Sequence, residues 1–244
     1  MNAPLEQNMR ALRLSGMIAT LPIRNQEATA SQLSYIEFLE LLVDDELNRR
    51  RDNLLKVRIK KAGFPAMKTL EEFDFSFTPS INKKQLFDLA TARFIANAEG
   101  ILLLGPPGVG KSHLAIAIGM CAVKAGYKVL YKTALELLQE TAEAKATGDH
   151  KQFFKTLNHC HLLIIDDFGL HKLPAQAAEY LLEVFVQRYE RTSIIVTSNR
   201  PLDDWGKIIG DTATATAILD RFLHHAAVIT IKGKSYRLAK KKNP

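Results

Sequence analysis

The sequence predicts an open α/β domain, with a five-stranded parallel sheet flanked by helices, preceded by a small helical domain. From residue 86 onward, short apolar segments alternate with helical runs, which is the order that a parallel sheet buried on both faces requires. Before about residue 70, apolar residues instead recur at helical spacing. The chain has 244 residues, which is long enough for both domains.

Residues 1–70 form the predicted helical N-terminal domain. Apolar residues recur at three- and four-residue intervals in two stretches, 9–14 and 36–47. Ser34 and Glu37 have the spacing of a capping box, in which each side chain accepts a backbone N–H at the start of a helix. The second of the two helices is therefore predicted to begin just after Ser34.

A linker follows this helical region. The Gly-Phe-Pro sequence at 63–65 breaks the helical pattern. Residues 69–81 contain three phenylalanines and a proline, which indicates an extended segment that packs on the next domain through apolar contacts. We place the boundary near residue 70, so that 71–244 is the second domain.

The second domain contains the predicted sheet. Its strand candidates are the apolar segments 101–104, 128–131, 162–165, 194–197 and 228–231. Its helices are predicted to begin near Lys111, Ala134, Pro174 and Thr214. Because open α/β sheets bind ligands at the carboxyl ends of their strands, the residues that follow each strand are the candidates for a site.

A phosphate-binding loop follows the first strand. The motif G-x(4)-G-K-S is formed by Gly105, Pro106, Pro107, Gly108, Val109, Gly110, Lys111 and Ser112. Its glycines let backbone N–H groups surround phosphate oxygens, and the next helix contributes the positive end of its dipole. Lys111 is predicted to contact the β and γ phosphates of ATP, and the Ser112 hydroxyl to bind Mg²⁺. We include the next residue, His113, in the predicted nucleotide-binding segment.

Two acids follow the third strand. The sequence Leu-Leu-Ile-Ile-Asp-Asp at 162–167 has the form of a Walker B strand. Asp166 is predicted to hold Mg²⁺ through water, and Asp167 to accept a proton from the attacking water. A single strand and helix pair lies between the phosphate-binding loop and this strand. That order is typical of ATPases that activate water with an acid, and it argues against a P-loop kinase that phosphorylates a small molecule.

Three later residues resemble functional positions of AAA+ ATPases. Asn199 ends the fourth strand and is similar to the sensor-1 residue, which orients the attacking water. Arg221 resembles the arginine finger that a neighbouring subunit supplies, with Arg188 and Arg191 as alternatives. Arg237 resembles the sensor-2 arginine, which contacts the γ-phosphate in its own subunit.

A more specific family resemblance spans nearly the whole chain. It is carried by Gly16-Met17, Thr69-Leu-Glu-Glu-Phe-Asp74, Gly105 to Leu114, Trp205-Gly206, Ala217 to Arg221, His224-His225-Ala226 and Gly233 to Arg237. These motifs resemble the IstB ATPases of insertion sequences, which are similar to DnaC-type helicase loaders. The resemblance implies a homo-oligomer with ATP at its subunit interfaces, which assembles on duplex DNA and recruits and stimulates a partner transposase. A helicase loader with the same ATPase core is the alternative.

The charge distribution favours a nucleic-acid partner. The chain has a formal net charge of +7, and such an excess attracts polyanions. The predicted DNA-binding residues form one basic cluster: Arg49, Arg50, Arg51, Lys56, Arg58, Lys60 and Lys61.

Cysteine usage and the N-terminal sequence predict a cytoplasmic protein without a membrane segment. Two cysteines cannot form a disulfide framework, which is typical of a reducing compartment. The N-terminus lacks the apolar core of a signal peptide, and no stretch has the length of a transmembrane helix.

Overall fold

The computed structural model describes residues 3–170, 173 and 176–240. The chain divides into two compact units, and the division lies between Val57 and Arg58. The second unit therefore contains residues 58–70 in addition to the predicted second domain.

The first unit is helical. Its helices are α1 (Ala3–Ala11), α2 (Ser15–Ser31) and the first part of α3 (Tyr35–Ala62). The predicted capping box is present at the start of α3. The Ser34 N–H donates to Glu37 Oε2 at 2.8 Å, and the Glu37 N–H donates to Ser34 Oγ at 3.3 Å. The start of this helix is thus fixed by local sequence.

A buried carboxylate joins α2 to α3. Glu46 accepts the backbone N–H of Gly16 at 2.6 Å and that of Met17 at 3.3 Å, and Arg50 Nε donates to it at 2.7 Å. Burial raises the pKa of Glu46, but these donors together outweigh burial and lower it. A Cβ at Gly16 would lie 2.7 Å from the Glu46 Cα, so only glycine lets α2 approach α3 so closely.

The second unit is a parallel α/β sheet. Its strands are β1 (Gly100–Leu104), β2 (Val129–Thr133), β3 (Leu162–Phe168), β4 (Ser193–Ser198) and β5 (Ala226–Thr230). They pair in parallel in the order β2-β3-β4-β1-β5. The predicted fold class is therefore confirmed, and each predicted strand overlaps an observed one. The fourth strand lies between the first and the third.

Helices cover the sheet. The described helices of the second unit, besides the end of α3, are α4 (Lys83–Ala90), α5 (Arg93–Ala96), α6 (Lys111–Lys124), α7 (Ala134–Thr147), α8 (His150–His159), α9 (Ala177–Arg188), α10 (Trp205–Ile209), α11 (Thr212–His224) and α12 (Tyr236–Lys240). The predicted helix starts did not include those of α4, α5, α8, α10 and α12. Helix α11 begins two residues before the predicted Thr214, because Asp211 caps it by accepting the N–H groups of Ala213 and Thr214. Pro174, the predicted start of α9, lies outside the described residues.

The core explains the continuous apolar segments of the sequence. Residues 162–165 of β3 are fully buried, as expected for an interior strand with helices on both faces. Trp205 is also fully buried and packs against Phe168, with 4.1 Å between the ring centroids. None of the described helices combines the length and apolar character needed to cross a bilayer.

Candidate nucleotide-binding site

A cavity of about 560 Å³ lies at the carboxyl ends of β1, β3 and β4. Its volume is in the range of typical ligand pockets, about 300–1,000 Å³. The cavity brings together six predicted site residues that are far apart in sequence: Lys111, Ser112, Asp166, Asp167, Asn199 and Arg237. It is also lined by most of the phosphate-binding loop, from Pro107 through His113.

The loop approaches its surroundings too closely for side chains at Gly108 and Gly110. Gly108 and Gly110 have φ values of 82° and 98°, which favour glycine. A Cβ at Gly108 would lie 2.2 Å from Ser235 Oγ, and one at Gly110 would lie 2.5 Å from a ring carbon of Phe73. Gly110 is also the N-cap of α6, so the positive end of this helix dipole faces the cavity. The loop is therefore shaped to present backbone N–H groups to an anion.

The Lys111 ammonium is buried in the cavity wall. Its Nζ donates to the carbonyl oxygens of Gly105 at 2.8 Å and Pro106 at 3.0 Å. Burial lowers the pKa of Lys111, whereas the charges of Asp167 and Asp166 act in the opposite direction. A cation in such a site interacts more strongly with an incoming phosphate than one in bulk water.

The two acids after β3 have different environments. Asp166 is buried, whereas Asp167 is exposed in the cavity. Asp167 has a left-handed φ of 56°, and the pairing of β3 with β4 shifts register between Ile165 and Phe168. This irregularity turns the second acid toward the cavity while the first stays within the sheet.

Two hydroxyl groups hold the Asp166 carboxylate. The Tyr131 hydroxyl donates to Asp166 Oδ2 at 2.5 Å, and the Thr197 hydroxyl donates to Oδ1. Thr197 Oγ1 also accepts the Asp167 N–H at 3.0 Å. Burial and the bond to Asp166 raise the pKa of Tyr131, so its phenol remains a donor. Neither Tyr131 nor Thr197 was among the predicted site residues. Their only signal is a polar group near the end of an apolar strand.

The donor set suits Mg²⁺. Ser112 offers a hydroxyl oxygen and Asp166 offers carboxylate oxygens, which are the hard ligands that this ion prefers. Both residues line the same cavity as the phosphate-binding loop, so a metal held there would meet the phosphates of a bound nucleotide.

Residues from both ends of the second unit complete the cavity. The Tyr236 N–H donates to the Gly108 carbonyl at 3.0 Å, and this bond places Arg237 beside the loop. Arg237 is close enough to contribute to the lowered pKa of Lys111. On the linker side, the Thr69 carbonyl lies 2.7 Å from His113 Nε2. Phe73 of the linker packs on the loop. Apolar contacts of this kind were predicted for the segment 69–81.

Arg221 lies outside this cavity. Its Nη1 donates to the Ala217 carbonyl at 2.9 Å, within its own helix α11. It lines a separate small cavity with Gly100, which begins β1, whereas the phosphate-binding loop follows the other end of that strand. The five residues of β1 span about 13 Å. In this conformation the guanidinium does not line the cavity that contains Lys111.

The alternative Arg188 has an internal structural role. It is almost completely buried, and its guanidinium donates to the carbonyls of Leu157 at 2.7 Å and Ser193 at 2.9 Å. These bonds connect the ends of α8 and α9 to the start of β4. Arg188 is therefore not placed to contact a neighbouring subunit, whereas Arg191 is exposed.

The predicted DNA-binding residues lie along α3. Six of the seven are exposed, and Arg58 is half-buried. Arg50 is also paired with the buried Glu46. Arg49 and Lys56 are seven residues apart and therefore lie on the same face of the helix.

Known proteins match both the sequence and the fold. The family model described as IstB-like ATP binding protein matches residues 7–244. The IS21 putative ATP-binding protein of Pseudomonas aeruginosa is 42% identical over 217 residues, covering 89% of this chain and 82% of the relative. The IS5376 putative ATP-binding protein of Geobacillus stearothermophilus is 41% identical over 215 residues, covering 88% and 86%.

A solved structure shows the same fold. AMPPCP-bound DnaA from Aquifex aeolicus superposes with a TM-score of 0.56 at 23% identity, covering 74% of this chain and 56% of that one. At this identity the likeness shows the fold alone. The family match covers nearly the whole chain and agrees with the resemblance found in its motifs. The chain belongs to the family of IstB-like ATP binding proteins.

Proposed function

We propose that this protein is an ATPase that assembles as a homo-oligomer on duplex target DNA and there recruits and stimulates a partner transposase. One observation carries the proposal: the phosphate-binding loop and both acids line one cavity, while Arg221 lies at the opposite end of β1. A neighbouring subunit is then needed to complete the site. The relatives' association with insertion sequences supports a role in transposition.

The cavity residues have distinct roles in this proposal. The loop N–H groups and Lys111 bind the phosphates of ATP, and Ser112 and Asp166 hold Mg²⁺. The bound metal supplies positive charge to the phosphate oxygens. Asp167 accepts a proton from the attacking water, Asn199 orients that water, and Arg237 contacts the γ-phosphate.

DNA binding is assigned to the exposed basic residues of α3. Such residues contact phosphates and contribute an affinity that does not depend on sequence but falls steeply with salt. The alternative function is that of a helicase loader with the same ATPase core.

The role of Asp167 is tested by Asp167→Asn. Asparagine has nearly the same shape and tolerates a left-handed φ, so the backbone conformation should persist. The amide cannot accept the water proton. We expect turnover to fall at least about a hundredfold, in the range of a lost general base, with MgATP affinity within about threefold of wild type. Steady-state hydrolysis and equilibrium nucleotide binding measure the two quantities, and hydrolysis at the wild-type rate would exclude the assignment.

The assembly model is tested by measuring ATPase rate against protein concentration, with and without duplex DNA. The rate per subunit should rise with concentration, and DNA should shift the rise to lower concentration. The double variant Arg49→Ala/Lys56→Ala should lose most of the DNA effect. When the logarithm of its DNA affinity is plotted against the logarithm of the salt concentration, the slope should be shallower by about two, because two phosphate contacts are removed.

A matched control separates local contact from total charge. Lys151 and Lys155 are exposed lysines on α8, and their double alanine variant removes the same charge elsewhere. It should keep the DNA effect. If both double variants lose DNA stimulation equally, the assignment of DNA binding to α3 is wrong. If the rate per subunit is independent of protein concentration, the assembly model is wrong.

A further inference from the structure

We propose that Tyr131 is a positioning residue of the nucleotide site: together with Thr197 it fixes the Asp166 carboxylate in the orientation that receives the metal's water ligands. This inference rests on the proposed function, since it concerns Mg²⁺ bound with ATP. It assigns a role to a residue of β2, a strand that otherwise contributes no predicted site residue.

Strand order brings the two hydroxyls to one carboxylate. Strand β3 lies between β2 and β4, and Asp166 ends the part of β3 that pairs regularly with β2. Tyr131 approaches from one neighbouring strand and donates to Oδ2 at 2.5 Å. Thr197 approaches from the other and donates to Oδ1. The carboxylate is thus held from both sides.

Hydroxyl donors suit a carboxylate that must also receive a metal. An ionised carboxylate has about four lone-pair sites, so one bond to each oxygen leaves a site on each for water. Both donors are neutral, so the negative charge of Asp166 remains available to a cation. An arginine or lysine at either position would neutralise it. Partners of this kind orient metal ligands and contribute strongly to metal affinity.

Tyr131 itself is held rigidly enough to act in this way. It is buried, with 8% of its surface exposed, and its ring lies edge-on to Phe64 with 6.3 Å between the centroids. The ring therefore keeps its place when the hydroxyl is removed. Thr197 differs because its oxygen also accepts the Asp167 N–H, so it supports both acids.

The test compares nucleotide affinity with and without the metal. We would measure the dissociation constant of a fluorescent, non-hydrolysable ATP analogue in Mg²⁺ and in EDTA, for the full chain and for Tyr131→Phe. Mg²⁺ should tighten binding by the wild-type protein. In the variant this enhancement should fall about tenfold, the lower end of the usual effect of an outer-shell partner. The affinity in EDTA should stay within about twofold.

Tyr180→Phe is the matched control. Tyr180 is also a buried tyrosine, and its hydroxyl donates to Gln176 Oε1 at 2.6 Å, in α9 and away from the cavity. Its Mg²⁺ enhancement should equal that of the wild type. A second pair checks the other hydroxyl: Thr197→Ser should keep the enhancement, and the near-isosteric Thr197→Val should lose it.

The outcomes separate this proposal from the proposed function. A full Mg²⁺ enhancement in Tyr131→Phe would overturn the positioning role. Equal loss of affinity in Mg²⁺ and in EDTA, with a lower melting temperature, would show a merely structural role and would overturn it too. A wild-type protein that binds no nucleotide even with Mg²⁺ would remove the proposed function and this inference with it.

Discussion

Lys111→Ala is expected to abolish MgATP binding at the concentrations where the wild-type protein is saturated. The change removes a buried ammonium that two loop carbonyls hold beside the cavity. A phosphate in that site would then lack a charge-assisted bond in surroundings where water screens charge poorly. We expect at least about a hundredfold loss of affinity, about 2.7 kcal/mol.

Equilibrium binding and thermal unfolding measure this effect independently. MgATP should raise the melting temperature of the wild-type protein and leave that of Lys111→Ala unchanged, since only a bound ligand stabilises the folded state. Lys124→Ala is the control, because this exposed lysine lies at the other end of the same helix α6. If the MgATP affinity of Lys111→Ala is within threefold of that of the wild type, the assignment of this cavity as the ATP-binding site is wrong.

Arg221→Ala is expected to lower turnover by about a thousandfold or more while MgATP binding is unchanged. That magnitude is the usual effect of an arginine finger. Binding should persist because Arg221 does not line the cavity of its own chain. The variant should also lose the dependence of rate on protein concentration, because assembly would no longer deliver the cation. Arg191→Ala, at the exposed alternative position, should retain most of the activity.

Mixing two inactive variants tests whether the arginine acts between subunits. A Lys111→Ala subunit cannot bind ATP in this proposal, but it retains Arg221. An Arg221→Ala subunit binds ATP but lacks the finger. Their mixture should therefore hydrolyse ATP faster than either protein alone. If mixing restores no activity although the two variants co-assemble, the arginine does not act across the interface.

The sequence determined the features that depend on neighbouring residues. Four-residue apolar runs such as 162–165 indicate strands buried on both faces, and the structure contains a strand at each predicted segment. The capping box at Ser34 and the loop at 105–112 were likewise recognisable, because their residues interact within a few positions of one another. The order of the loop and the strand that ends in two acids further predicted an ATPase that activates water with an acid.

Local pattern did not indicate where the first compact unit ends. Helix α3 continues to Ala62. The predicted boundary, near residue 70, followed the break at 63–65. The observed division lies within α3, between Val57 and Arg58. The sequence pattern of a helix is the same whichever compact unit each of its turns belongs to. The pattern therefore does not show where along α3 the division lies.

Only the tertiary structure decided which distant side chains meet. The sheet order places β2 and β4 on either side of β3, and this order brings Tyr131 and Thr197 to Asp166. In the tertiary structure Arg188 is also buried, and Arg221 lies at the end of β1 that is far from the phosphate-binding loop. Sequence period specifies a strand or a helix, whereas strand order depends on how the whole chain packs, so these relations could not be predicted from local pattern.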